Sequence, residues 1–290
     1  MLPGHRINML VDTHIHVWDL ERAEYPWLSG NNSILNRTWK IEELESERKK
    51  AGVTMGVLVQ ASGNFEDTDL MMEVAEQTDW IAGVVAWLPL TDPVATQKIL
   101  NEKYLKEKYF KGVRHQVHDE ANANWLQQDE VIESLKILAA HNIPYDLVGV
   151  LTGHIETALK IAEKIPDLLM VFDHLNQPPI GTNEKFGIWG ELIKQAAGHE
   201  NFYAKISGLG TIAGKSKEWG ADCIKPYIEF VLKHFGTDRC FCGGDWPVSE
   251  LAGGYSKTWS IYKDVINELI KEADEREKIF YKNAQKFYGL

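Results

Sequence analysis

The stretch Asp12-Thr13-His14-Ile15-His16 sets two imidazoles two residues apart in an apolar run. That spacing turns both side chains to one face of a β-strand. Imidazole is the commonest side-chain ligand for divalent metals and the usual proton carrier near neutral pH. Other apolar runs also end in ionisable groups: Arg114, His115 and His118 close one, Asp173-His174 another, and Gly243-Gly244-Asp245-Trp246-Pro247 a third. Two glycines before Asp245 admit close backbone approach, and the proline stiffens the exit. A carboxylate there suits three tasks: holding a metal, taking a proton from water, or capping the next turn. Arg114 is a planar five-donor fork, matched either to ligand oxygens or to an ion pair with Asp119 or Glu120. Strict alternation gives His115 the opposite face. Trp18 and Trp246, with Trp87 and Trp125, are candidates for a pocket wall or for packing.

These groups gain meaning only if the chain brings them together. Eight short apolar runs read as buried parallel strands: Val11–Trp18, Met55–Ser62, Ile81–Leu90, Phe110–Val117, Pro144–Val150, Leu168–Leu175, Phe202–Leu209 and Cys240–Trp246. Between most of them lie segments of helical spacing, such as Val131–His141, Ile155–Ile165 and Asp222–Phe235. Parallel strands need crossover connections, and these intervals supply them. The pattern predicts an α/β chain folded as one (β/α)8 TIM barrel over residues 1–290. The first connection has no Gly-rich phosphate turn, which argues against a doubly wound sheet. It runs instead through Tyr25-Pro26-Trp27-Leu28, long enough to pass over a barrel mouth. In such a barrel the catalytic groups sit at the C-terminal strand ends, where His14, His16, Arg114, His174 and Asp245 all fall.

Composition bounds the rest. The 290 residues are 44% hydrophobic and 25% charged, with a net charge of −11. No basic stretch offers a phosphate-tracking surface, so nucleic acid is not an expected partner. No run reaches the roughly 20 apolar residues that span a bilayer, and the polar stretch Met1–Asn8 predicts no targeting segment. Cys223, Cys240 and Cys242 are too few for a disulfide framework. A reducing cytoplasm is the expected compartment, and a homodimer is compatible with the chain's size and acidity.

Asp12–Leu20, Tyr25–Leu28, Lys111–His115, Asp173–Leu175, Lys205–Leu209 and Gly243–Pro247 occur in an order that resembles the amidohydrolase superfamily. The likeness is to its amidohydrolase-2 branch, which holds sugar-acid lactonases of the L-fuconolactonase and L-rhamnonolactonase kind. The resemblance implies a metal-dependent-hydrolase-like barrel that opens a small sugar-acid 1,4- or 1,5-lactone to its hydroxy acid, a reaction of carbohydrate catabolism. It implies that Asp245 activates water while His14, His16 and His174 polarise the carbonyl or, with Asp245, hold one divalent ion such as zinc. Substrate contacts would come from Arg114, His115, His118, Trp18 and Trp246. Metal-free catalysis stays open, and a metal-dependent decarboxylase of the same branch is the alternative activity. Two departures stand out. No lysine ends Phe110–Val117 and no histidine lies within Pro144–Val150, so one metal or none is expected rather than two. Asn176-Gln177 replaces the Gly-Lys usual after Asp-His-Leu, which keeps hydrogen bonding and removes a charge.

Overall fold

A computed structural model describes residues 9–30, 32–214 and 218–290. Met1–Asn8, on which the targeting expectation rests, lies outside the described residues. Eight parallel strands pair in chain order: β1 Val11–Ile15, β2 Met55–Val59, β3 Ile81–Ala86, β4 Phe110–His115, β5 Tyr145–Leu147, β6 Met170–Phe172, β7 Phe202–Ile206 and β8 Cys240–Cys242. A parallel bridge between Ile15 and Trp246 joins the two edges. The result is the (β/α)8 barrel expected from the strand rhythm. Around it run α1 Glu45–Ala51, α2 Phe65–Gln77, α3 Pro93–Glu102, α4 Asp129–Ala140, α5 Thr152–Lys164, α6 Gly187–Ala197, the short α7 Leu209–Ile212, α8 Ala221–Phe235 and α9 Tyr255–Leu269. Two further segments, α10 Ala273–Glu277 and α11 Asn283–Tyr288, follow. No helix among the described residues is long and apolar enough to cross a membrane.

Alternation sorts the strand side chains into two layers. Val11, Val57, Val59, Val85, Val171, Tyr203 and Phe241 form one buried cluster, plugged by Phe287 and Tyr288 of α11. The intervening residues, among them Leu58, Val84, Phe172 and Ile206, pack in the larger cluster that contains the helices. The same period continues inward past Val171 and Tyr203, so Asp173 and Lys205 point into the barrel above the plug. A register shift between Asp12 and Ile15 separates Asp12 from the catalytic face. Its carboxylate instead accepts from Tyr255 Oη at 2.6 Å and Trp259 Nε1 at 3.2 Å, both on α9. Burial raises the Asp12 carboxyl to about 6, against the lowering effect of those donors.

Each strand ends two to four residues before its apolar run does. The runs overshoot because apolar character persists into the turns that build the mouth. There the backbone leaves the ladder through left-handed residues, at His174 to Gln177, Gly208 and Asp245. Cys240 and Cys242 are buried free thiols, and Cys223 is an exposed one.

Candidate active site

His14 lies in β1 and His16 just past it, held by its backbone N–H to the Trp246 carbonyl at 2.7 Å. The Asp245 N–H in turn donates to the His14 carbonyl at 2.8 Å. These two bonds lock the end of β1 to the turn after β8, and the left-handed Asp245 (φ 54°) aims its carboxylate inward. The two Nε2 atoms stand 3.1 Å apart. Asp245 Oδ1 lies 3.8 Å from that of His14 and 3.6 Å from that of His16.

Their hydrogen bonds say what these atoms carry. The Val59 carbonyl oxygen, 2.7 Å from His16 Nδ1, can only accept, so Nδ1 bears the proton and Nε2 a lone pair. His14 Nδ1 lies between the Asp173 carboxylate at 3.5 Å and Lys205 Nζ at 3.4 Å, and its Nε2 faces an Arg114 N–H at 3.4 Å. The Arg114 donor calls for a lone pair on Nε2, and the proton on Nδ1 then turns to Asp173. Burial holds His14 well below the usual imidazole range, with Lys205 adding to the effect and Asp173 opposing it. Burial likewise lowers His16, against the pull of Asp245. Two neutral imidazoles and a carboxylate thus point electron pairs at one spot, with no proton between them.

A cation satisfies such a cluster, and the donor set suits zinc. Tetrahedral ligands at the usual ~2.0–2.1 Å stand about 3.3–3.4 Å from one another, close to the separations seen. Among the described residues, His14, His16 and Asp245 are the group whose ligand atoms gather within 4.8 Å. His174 is not part of that group. Its ring lies 4.5 Å from that of His14, but its Nδ1 is 2.8 Å from Ser207 Oγ.

Behind the triad is a buried ionic layer. Lys205 of β7 contacts Asp146 of β5 at 2.5 Å and Asp173, after β6, at 2.7 Å. Tyr288 Oη donates to Asp146 at 2.7 Å. Burial raises Asp146 to about 6 despite Lys205, whereas for Asp173 the cations and His14 outweigh burial and hold it well below the usual range. Arg114 completes the layer. It bonds the Gln60 carbonyl, Gln60 Oε1 at 3.1 Å and Asp173 Oδ2 at 3.1 Å. Its ion-pair partner is therefore Asp173, not Asp119 or Glu120, because β4 turns its side chain into the barrel. Arg114, Lys205, Asp146 and Asp173 each lie at 3% exposure or less.

Above the triad opens a cavity of about 220 Å³, below the roughly 300–1,000 Å³ of drug-sized ligand sites. His16, Arg114, His118, His174 and Asp245 line it, together with Trp27 and Gln177. Three expected contact residues are placed elsewhere. His115 turns to the opposite face, stacks on Trp125 at 3.9 Å and meets Glu120 at 2.6 Å. Trp18 is buried beneath Trp27, edge-on at 5.2 Å, with its Nε1 on the Arg37 carbonyl at 2.6 Å. Trp246 packs edge-on against Trp39. Trp27 takes the aromatic place at the wall, tied by Nε1 to the Ala61 carbonyl at 2.8 Å. Lys205 and Ser207 stood in a stretch of family resemblance without a site role, and Asp146 and Gln60 were not singled out in the sequence. The signal for Lys205 and Asp146 was a charged residue inside an otherwise apolar strand.

The sequence profile of the amidohydrolase family matches residues 11–290. An L-fucono-1,5-lactonase of Burkholderia ambifaria is 29% identical over 97% of this chain and 95% of its own. A solved Burkholderia multivorans amidohydrolase with bound zinc superposes with a TM-score of 0.87 at 24% identity, over 97% of this chain and 99% of the other. A 5-carboxyvanillate decarboxylase from Sphingomonas paucimobilis superposes at 0.67 and 12% identity, over 97% and 99%. These last two likenesses are of fold alone.

Proposed function

We propose, from the premise that this chain belongs to the amidohydrolase family, that it hydrolyses a small sugar-acid lactone to the open hydroxy acid. The observation that carries the reading is the placing of Asp245. One carboxylate oxygen joins the two imidazole lone pairs. The other lies toward Gly208, 3.2 Å from where a β-carbon there would sit. That second oxygen is the base. The lactonase similarity over nearly the whole chain supplies the substrate class.

A water beside Asp245 gives up its proton to the carboxylate while its oxygen forms a bond to the lactone carbonyl carbon. The carbonyl π pair moves onto oxygen, where donors at the cavity floor stabilise it. Collapse breaks the ring C–O bond, and its electron pair leaves on the ring oxygen. Asp245 returns the proton to that oxygen, and the new carboxylic acid ionises to solvent. Arg114 bonds Gln60 and Asp173 and faces His14, so it holds them in place, and its guanidinium also borders the cavity that would take the substrate. Trp27 offers a flat apolar face and Gln177 and His118 offer polar edges to a hydroxylated ring. A divalent ion on His14, His16 and Asp245 would supply Lewis acidity.

The test is a panel of aldono-1,4- and 1,5-lactones followed with a pH indicator. Acid release with one or more of them is expected. A protein that opens none, while a control lactonase works in the same assay, overturns the reading. Carbon dioxide release from an aromatic or enoic acid would replace it with the decarboxylase.

A further inference from the structure

Ser207 follows β7, is fully buried, and is not required by any step above. Its Oγ accepts the backbone N–H of His174 at 3.1 Å and lies 2.8 Å from Nδ1 of the same residue. Among the described residues, that Nδ1 is the acceptor the structure offers the hydroxyl hydrogen. A buried hydroxyl proton finds a partner. If Nδ1 carried its own hydrogen, the two protons would face each other or the serine proton would be stranded. Nδ1 therefore holds a lone pair, and the ring proton sits on Nε2.

The backbone fixes which edge of the ring meets the cavity. Gly208 has φ +62°, and a β-carbon there would come within 2.6 Å of His174 Nδ1. The Nδ1 edge is thus pressed against the Ser207–Gly208 turn. His174 itself is left-handed (φ 55°), the first of four consecutive such residues through Gln177. Trp189 ties that strained turn by donating Nε1 to the Leu175 carbonyl at 2.8 Å. His174 lines the cavity, and with its Nδ1 edge against the turn the Nε2 edge is the one left to face it.

We infer that Ser207 is a positioning residue that locks His174 as an Nε2–H hydrogen-bond donor to the substrate carbonyl oxygen. The donor role rests on the lactonase reading; the tautomer does not. The floor is then split between electron-rich His14, His16 and Asp245 and an electron-poor His174, whose Nδ1 lone pair is taken by Ser207 and whose Nε2 has none to offer a metal. A neutral imidazole in this role donates a hydrogen bond and loses no proton, so Asp245 remains the group that carries the proton between water and ring oxygen.

Long-range 1H–15N spectra of the ring nitrogens decide the tautomer in the intact protein, with His174→Gln identifying the signals. The expected wild-type pattern is an Nε2-protonated ring. Ser207→Ala should give a mixture of tautomers and Ser207→Thr should restore the single form. An Nδ1-protonated ring in the wild type overturns the inference, whatever substrates the protein takes. So does an unchanged spectrum in Ser207→Ala. Zinc binding by equilibrium dialysis is the second readout. His174→Gln should keep the wild-type affinity within roughly threefold, whereas His16→Gln should lose about 100-fold, as loss of a ligand or its orienting partner does. Equal losses overturn the division of the floor. On a lactone the wild type opens, Ser207→Ala should lower kcat about tenfold, less than loss of a whole oxyanion donor, with KM nearly constant. A change in KM alone overturns the donor role and leaves the lactonase reading in place.

Discussion

His16 Nδ1 sits 2.7 Å from the Val59 carbonyl oxygen, which commits the ring's other nitrogen to the cavity as a bare lone pair. The backbone of β2 therefore sets the tautomer of a residue that follows β1. Substituting Val59 cannot remove this bond, whereas His16→Gln removes the ring that donates it. Zinc stoichiometry of protein loaded and dialysed should fall from one per chain to near none in His16→Gln. A full equivalent retained in that variant would take His16 out of the metal group.

Asp245→Asn keeps shape and loses the ability to take a proton. Lactone opening should drop by about 10²- to 10⁴-fold, the usual worth of a general base, with kcat carrying the loss. Circular dichroism and melting should stay close to wild type, since the backbone bonds to His14 are untouched. Activity within a few-fold of wild type would move the base elsewhere.

Lys205 stands between two buried carboxylates, and removing one partner of such a pair leaves a charge stranded. Lys205→Met should cost about 3–5 kcal/mol in urea unfolding. The double variant Asp146→Asn with Lys205→Met should cost markedly less, because Asp173 keeps Arg114. Equal losses in the single and double variants would mean that Asp146 and Lys205 do not interact.

Asp67 gives a pH test away from the mouth. Its carboxylate accepts from Ala61 N, Ser62 N and Tyr25 Oη at 2.9, 3.2 and 3.0 Å, yet burial raises it to about 6. The folded state thus binds this proton more tightly than the unfolded chain does. Its contribution to stability is full below the unfolded value of about 4 and is lost as pH rises through about 6. Asp67→Asn can keep all three contacts, with Tyr25 Oη turned to accept. Relative to that variant, the wild type should lose up to about 3 kcal/mol between roughly pH 4 and pH 7. A pH-independent difference in urea midpoints would contradict the shift.

Gly208→Ala should cost both stability and turnover. The position is left-handed, and its new methyl would lie 2.6 Å from His174 Nδ1. A loss of about 1–3 kcal/mol is expected from the strain, with His174 displaced and kcat lowered. Unchanged kinetics would show that the ring is free to move aside.

The barrel was legible because apolar runs of strand length alternate with helical spacing, and most strand starts fell where those runs begin. The strand ends were not, since Leu175 is as apolar in a left-handed turn as in a ladder. His14, His16, Arg114, His174 and Asp245 could be named because ionisable residues at run ends are visible in one dimension. His115 was distinguishable by parity. Trp18 and Trp246 were not, as an indole reads the same whether it walls a cavity or props up the one that does. Lys205 and Asp146 lay inside apolar runs, where pairing across strands is visible only in three dimensions.

The ionic layer under the mouth holds Arg114 and Lys205 against Asp146 and Asp173, two cations and two anions. Its charges cancel within the barrel, and they do so out of reach of screening ions. Any charge arriving from above, whether an ion or an oxygen turning negative during ring opening, therefore meets a neutral foundation. Asp245 then meets that arrival over a balanced layer, so altering the layer by a single unit at Lys205, Asp146 or Asp173 would retune the mouth without touching a residue that lines it.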